Sequence, residues 1–258
     1  MIIIGAGRVG TSLKKRSEAV DIPVTLVDRT SGDAALDGPQ GDPILVATRN
    51  DDLLDVIERV PEHRHEDLVF IQNGVLRGLL RNNQLSGCTR GLIYFAATER
   101  HGDIDPGTIS WFTGPHALEL VRWFAAMDLK ARKVDWARFS YYEFEKLTWL
   151  CVFGVLCDAH DCTVGDALAH EDDLRALVDE MTHYGRGELN VDAPQDYLLE
   201  RLGDYTRSIP EYRASVKEWD WRNGAVLRRM VDLGERRMPA TLRLLREGGH
   251  GDRLTGLA

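Results

Sequence analysis

The chain has 258 residues, 43% hydrophobic and 28% charged, with 32 Lys and Arg against 41 Asp and Glu. That is enough for one large domain or two small ones, and it excludes a disulfide mini-protein, a disordered tail and a collagen-like fibre. A formal net charge of −9 with dispersed basic residues repels phosphate backbones, so no nucleic-acid partner is expected.

The first third alternates short apolar runs with helical stretches. Ile2-Ile3-Ile4 reads as a buried strand, Arg8 to Ala19 as a helix, Val24 to Val27 as a second strand and Ile44 to Ala47 as a third. Asp51 to Val60 reads as a helix with Leu53, Leu54, Ile57 and Val60 on one face, followed by a strand over Leu68 to Ile71. Apolar, β-branched runs separated by crossovers predict a doubly wound parallel sheet covered on both faces. Gly91 to Phe95 and Thr108 to Phe112 read as further strands of that sheet. Beyond Asp135 the strand signal ends. Phe139 to Cys157, Asp172 to Tyr184, Pro194 to Leu202 and Glu218 to Leu233 all read as helices. The expected plan is therefore an α/β domain over 1–134 and an all-helical domain over 135–258.

The uncharged apolar run Leu147 to Cys157 falls well short of the ~20 apolar residues of a bilayer span. The opening residues show neither a basic leader nor a cleavage site, and four cysteines make no disulfide framework. The expectation is a cytoplasmic protein with reduced thiols and no membrane partner.

Gly5-Ala6-Gly7-Arg8-Val9-Gly10 fits G-x-G-x-x-G directly after the first strand and at the start of a helix. One glycine makes the turn, one admits a pyrophosphate and one lets helix and strand pack closely. Exposed N–H groups and the positive end of the helix dipole then hold the phosphates. Asp28, at the end of the second strand, can accept hydrogen bonds from a ribose 2′-hydroxyl, which favours NAD(H). The adjacent Arg29 can pair with a 2′-phosphate, which favours NADP(H). The bland alternative is a solvated Asp28–Arg29 pair.

Four further segments, in order, resemble the ketopantoate reductase (2-dehydropantoate 2-reductase) family. Gln72-Asn73-Gly74 is similar to its Q-N-G or H-N-G, and Glu145-Lys146-Leu147 to the start of its lysine-bearing helix. Tyr205 to Pro210 falls where the family has a substrate-binding serine, and Glu218-Trp219-Asp220-Trp221-Arg222-Asn223-Gly224-Ala225 is similar to E-I-D-x-I-N-G-A. The resemblance implies a Rossmann-type domain followed by a helical domain. It also implies hydride transfer from NADP(H) or NAD(H) to the ketone of a 2-oxo acid, and it tilts the cofactor slightly to NADP(H). By resemblance, Lys146 is the proton donor in a cleft between the domains, and Glu218 orients substrate or cofactor. Asn73 bonds the nicotinamide ribose and the substrate, Ser208 binds the substrate, and Ala97 contacts the cofactor. A homodimer is expected by analogy.

Each residue has a plainer reading. Lys146 can be a solvated lysine, Asn73 a turn residue, Ser208 a helix cap, and Glu218 with Arg222 an i,i+4 surface pair. Two departures matter. The family carries asparagines one and two turns beyond its lysine, and here those positions are Leu150 and Gly154. The strand end that often bears a lysine reads Ala47-Thr48-Arg49. An altered, more apolar pocket is expected, with Trp149, Phe153, Trp219 and Trp221 either lining it or filling the helical core. Two alternatives are a non-catalytic NAD(P) sensor and a reductase of an imine or sugar-derived acid. Cys157-Asp158-Ala159-His160-Asp161-Cys162 matches no common zinc spacing, so no metal is expected. Arg228-Arg229 and Arg236-Arg237 read as a solvated helix face.

Overall fold

Three short apolar runs build the centre of the first unit: Ile2–Ile4 (β1), Ile44–Val46 (β3) and Leu68–Phe70 (β4). Thr25–Val27 (β2) pairs with the outer side of β1, and every pairing among these four is parallel. All residues of β3 and β4 are buried, so their sequences show no polar alternation, as helices on both faces require. Thr89–Leu92 (β5) continues the parallel run. The chain then leaves the sheet for a small antiparallel pair, Ala96–Ala97 (β6) with Ile104–Asp105 (β7), and returns as Ser110–Thr113 (β8), antiparallel to β5. Ala131–Lys133 (β9), not foreseen, closes the edge, giving the order β2-β1-β3-β4-β5-β8-β9. The computed structural model describes residues 1–97, 99–232 and 238–255. Thr98, Leu233 and the Arg236–Arg237 pair lie outside them.

Helices Arg8–Glu18 (α1), Leu53–Arg59 (α2), Arg77–Asn82 (α3) and Ala117–Ala126 (α4) belong to this unit. On α2 the buried face is Leu53, Val56 and Ile57, whereas Leu54, expected on it, is 50% exposed. The i, i+3, i+4 rule places Val56 and Ile57 beside Leu53, and Leu54 turns away by one position. Ile3, Leu13, Leu45, Val69, Phe112, Leu120 and Phe124 share one core, and Trp123 Nε1 donates to Ser17 Oγ at 2.9 Å, tying α4 to α1. A buried ion pair braces the opposite end. Arg64 and Asp67 are 1% and 2% exposed, Arg64 also donates to the carbonyls of Leu36 and Asp42, and Asp67 accepts from Gly41 N and His116. The guanidinium thus pins the loop between β2 and β3.

The chain divides into Met1–Phe139 and Ser140–Ala258, inside the first turn of the helix Trp136–His160 (α5). The second unit adds Val164–Ala167 (α6), Glu171–Leu189 (α7), Gln195–Ser208 (α8), Asn223–Asp232 (α9) and Pro239–Glu247 (α10). Every residue from Cys151 to Cys157 is buried, so this stretch of α5 is the core helix that its all-round apolarity requires. The Glu180 carboxylate on α7 accepts from the backbone of Ala240 (2.7 Å) and Thr241 (3.0 Å) and from the Thr241 hydroxyl (2.6 Å), capping α10 from another helix. One expected helix is corrected. Glu218 sits in the left-handed region at φ 48°, Trp219–Trp221 form a 3₁₀ turn, and regular helix begins only at Asn223. Among the described residues, no helix is long and apolar enough to cross a membrane.

Candidate functional site

The glycine turn is built by close approach. Gly5 has φ +116°, and a Cβ there would stand 2.8 Å from the Ala47 carbonyl carbon and oxygen. At Gly10 it would stand 2.0 Å from the Gly5 oxygen. The first glycine therefore lets β1 turn over the end of β3, and the last lets α1 lie against that turn. Gly7 differs. A Cβ there would meet nothing within 4 Å, and Gly7 is the N-cap of α1 with no side-chain cap. The turn keeps open space above it, where the first-turn N–H groups of a helix lack intrahelical acceptors. Arg8 is exposed at the start of α1, and Ala6 and Val9 are half-buried around the turn.

Beside it, at the carboxyl ends of β3 and β4, three buried polar atoms have no hydrogen-bond partner among the described residues: Thr48 Oγ1, Gln72 Oε1 and Asn73 Oδ1. Their frame is fixed. Gln72 Nε2 donates to Val46 O at 2.9 Å, and Asn50 Nδ2 donates to Asn73 O at 2.8 Å. The turn after Asn73 belongs to Gly74, at φ +107°, so Asn73 itself is not the left-handed residue. β1 stands between β2 and β3, which makes this edge the point where the winding of the sheet reverses and ligands bind in open α/β sheets. Sequence reasoning passed over Thr48 as a donor and missed Asn50 altogether.

At the end of β2, Asp28 Oδ1 accepts four hydrogen bonds, from N and Oγ1 of Thr30 and from N and Oγ of Ser31, all at 2.8–2.9 Å. These bonds, led by the Thr30 hydroxyl, hold the carboxyl well below the usual carboxylate range. Arg29 turns to Asp52 at 2.7 Å with its side chain 82% exposed. The Asp28–Arg29 pair weighed from sequence does not form, because the Thr30-Ser31 turn supplies closer donors to Asp28. Ala97 lies in β6, whose loop packs on α1 through His101 N to Thr11 Oγ1 at 3.0 Å.

In the helical unit, Lys146 lies on α5. Burial pushes its ammonium down to about 7, and the neighbouring Arg222 guanidinium adds to the shift. The Arg222 side chain is 11% exposed and ion-paired through Nη2 with Glu218 Oε2. Lys146 and Glu218 are thus brought into one cluster by a residue whose role the sequence did not suggest. The Glu218–Arg222 pair forms with the expected spacing, but across the 3₁₀ turn and not along a helix. Ser208 does not join the cluster. It is the last residue of α8, is exposed, and donates to Tyr205 O of its own helix at 2.6 Å.

The replaced asparagine positions have physical reasons. Leu150 is half-buried on α5. At Gly154 a Cβ would stand 3.0 Å from Ser215 O, so the backbone of Ser215 and Val216 occupies the space an asparagine needs. Trp149 and Phe153 stack at 5.5 Å in the core, with Trp149 Nε1 donating to Thr206 Oγ1, while Trp219 and Trp221 stay half-buried. His160 pairs with Asp173 at 3.0 Å and stacks on His170 at 3.6 Å. Among the described residues, no three His, Cys, Asp or Glu gather as a metal site would need. A cavity of about 380 Å³ flanks α1 between Lys15, Arg16 and Asp128, away from the strand ends.

These features define a class: a Rossmann-type α/β unit followed by an all-helical unit. Among solved structures, the chain is similar to a PanE/ApbA family ketopantoate reductase from Ralstonia eutropha JMP134, with 19% identity, TM-score 0.77, and 99% of this chain and 100% of that chain covered. It is likewise similar to D-mandelate dehydrogenase with NADH and anilino(oxo)acetate, with 14% identity, TM-score 0.76 and 99% of both chains covered. A third match is the dimeric ketopantoate reductase from Staphylococcus aureus, with 15% identity, TM-score 0.74, and 100% of this chain and 99% of that chain covered. At such identities the likeness is one of fold. No family model matches the sequence, and no curated protein does.

Proposed function

We propose that the chain is an NAD(P)H-dependent reductase that converts the ketone of a 2-oxo acid to an alcohol. The observation that carries the reading is Lys146, an ammonium brought to about 7 beside a second cation, in a chain with this fold. Three supports converge on the cofactor: the open space over Gly7, the uncapped start of α1, and the orphaned oxygens of Thr48, Gln72 and Asn73. Gly5 to Gly10 would hold the pyrophosphate and Asn73 the nicotinamide ribose, with Ala97 near α1 as a weaker contact. Asp28, anchored through Oδ1, would take a ribose hydroxyl. A 2′-phosphate would meet that fixed negative charge, so NADH is the favoured cofactor.

When bound, the reduced nicotinamide supplies the hydride. Charge then builds on the ketone oxygen, and Lys146 Nζ delivers a proton there, leaving neutral lysine and a 2-hydroxy acid. A donor of pKa about 7 is matched to neutral pH. Glu218 orients Arg222. A homodimer is the proposed assembly, in keeping with the dimeric neighbour.

The test follows absorbance of NADH and NADPH over a panel of 2-oxo acids that includes ketopantoate and phenylglyoxylate, with Lys146→Ala beside the parent. Turnover by the parent and its loss in the variant support the reading. Tight cofactor binding without turnover across the panel would favour a sensor. Selective, strong turnover of ketopantoate would rule out the altered pocket.

A further inference from the structure

We infer that Arg222 holds the carboxylate of the substrate, taking over the task of the two amides that Leu150 and Gly154 replace. This rests on the proposed reductase reading and names the group that decides its substrate class.

Four observations carry it. Arg222 places a charge where the resembled pattern E-I-D-x-I-N-G-A has isoleucine. The guanidinium is 11% exposed, and Nε donates to no atom among the described residues, while Nη2 takes Glu218. Glu218 is itself 41% exposed, so a nearly buried cation has one half-solvated partner and an unused donor facing protein. Such a charge is under-compensated until an anion completes it, and a guanidinium edge fits a carboxylate with two parallel N–H bonds.

Placement gives the third. Asn223 Nδ2 donates to Cys151 O at 3.2 Å, which fastens the residue next to Arg222 onto α5. Cys151 lies five residues beyond Lys146, about 7.5 Å along the helix at ~1.5 Å per residue, and both Lys146 and Cys151 feel the Arg222 charge. The fourth is polarity. Arg222 immediately precedes the ten-residue α9, whose positive end favours an anion at that point.

In a 2-oxo acid the carboxylate is bonded directly to the ketone carbon. One cation can therefore hold the acid while the neighbouring ammonium protonates the ketone oxygen. Binding the carboxylate also offsets the Arg222 charge, so Lys146 keeps its proton to higher pH in the complex than in the free enzyme. The alkaline limb of kcat should lie above that of kcat/KM.

The experiment compares the full-length parent with Arg222→Ile, Arg222→Gln and Arg222→Lys. Steady-state kinetics use 2-oxo acids and their neutral amides, and calorimetry uses oxalate as an unreactive dicarboxylate. We expect Arg222→Ile to raise KM for the acid about 100-fold with kcat altered less than about tenfold, Arg222→Lys to recover part of it, and the amide's KM to stay put. The two pH limbs should coincide in Arg222→Ile. Equal losses for acid and amide, or an unchanged KM, would overturn the assignment; Arg222→Gln serves if the isoleucine variant does not fold. If the parent turns over no 2-oxo acid, the reductase reading fails by itself. Oxalate binding that is lost in Arg222→Gln would then still establish the anion site, and a parent that binds no oxalate removes it.

Discussion

The two units make their polar centres by different means. In the first, Gly5, Thr48, Gln72 and Asn73 sit at strand ends, where the parallel sheet places them by its own register, and Gly10 packs against Gly5 from α1. Backbone geometry does the placing, and the unmatched atoms at Thr48, Gln72 and Asn73 are neutral oxygens. In the second, Lys146, Arg222 and Glu218 come from α5 and from the turn before α9, and the unmatched feature is charge. A sheet edge offers ready-made N–H and C=O groups to a ligand, whereas a helical unit satisfies its backbone internally and must offer side chains. The first arrangement suits a cofactor common to many proteins, and the second suits the part of a reaction that differs between them.

Removing the ammonium is the strongest way to break this contrast. Lys146→Met should lower kcat by roughly 10²–10⁴, the range for loss of a general acid, in a stopped-flow assay of NADH oxidation. On the proposed mechanism the protonated lysine is the active form, so activity of the parent should fall as pH rises through about 7. The sign for stability is opposite. The folded pKa of about 7 lies below the ordinary lysine value of 10.5, so between those limits the unfolded chain binds more protons and stability rises with pH. Denaturant melts across that window should show this slope in the parent and lack it in Lys146→Met.

The next effect is purely structural. Arg64→Ala strips the guanidinium from the buried Asp67 carboxylate, and unfolding should become easier by about 3–5 kcal/mol with KM unmoved. A change in KM would mean that the loop Arg64 pins reaches the ligand.

Gly10→Ala sharpens the role of backbone approach. With 2.0 Å between the new methyl and Gly5 O, α1 must shift, and the turn should bind NADH at least about tenfold more weakly at a stability cost near ~1–3 kcal/mol. Fluorescence titration of NADH and a thermal melt read both.

Asp28→Asn removes the charge but keeps the acceptor. NADPH should gain on NADH by about tenfold in the ratio of kcat/KM, as expected if a fixed carboxylate repels a 2′-phosphate. The smallest effect belongs to Ser208→Ala, less than about twofold in KM, because that hydroxyl is spent on Tyr205 O. A tenfold change would return Ser208 to the site.

Local order made much of this legible. β1, β3 and β4 and the glycine turn could be placed because each depends on residues a few positions apart and on apolar runs buried on both faces. Lys146 and Glu218 were found by resemblance, not by pattern, and nothing local marks Arg222. The signal that was present was the arginine standing where E-I-D-x-I-N-G-A has isoleucine. Gly154 was read as a missing amide, whereas the backbone of Ser215 against α5 leaves it no room for one. Glu218 to Leu233 reads as one helix, but Trp219–Trp221 take a 3₁₀ turn first.

The sequence by itself determined the parallel strands of the first unit, the turn that opens α1, and the passage from sheet to helix near Asp135, because periodicity and glycine placement act over short stretches of chain. Only the tertiary structure decided that Asp28 faces Thr30 and Ser31 and not Arg29, that Ser208 serves its own helix, and that Arg222 stands where its charge reaches Lys146. The first two are choices among competing partners two or three residues away, and the last is set by packing between distant segments.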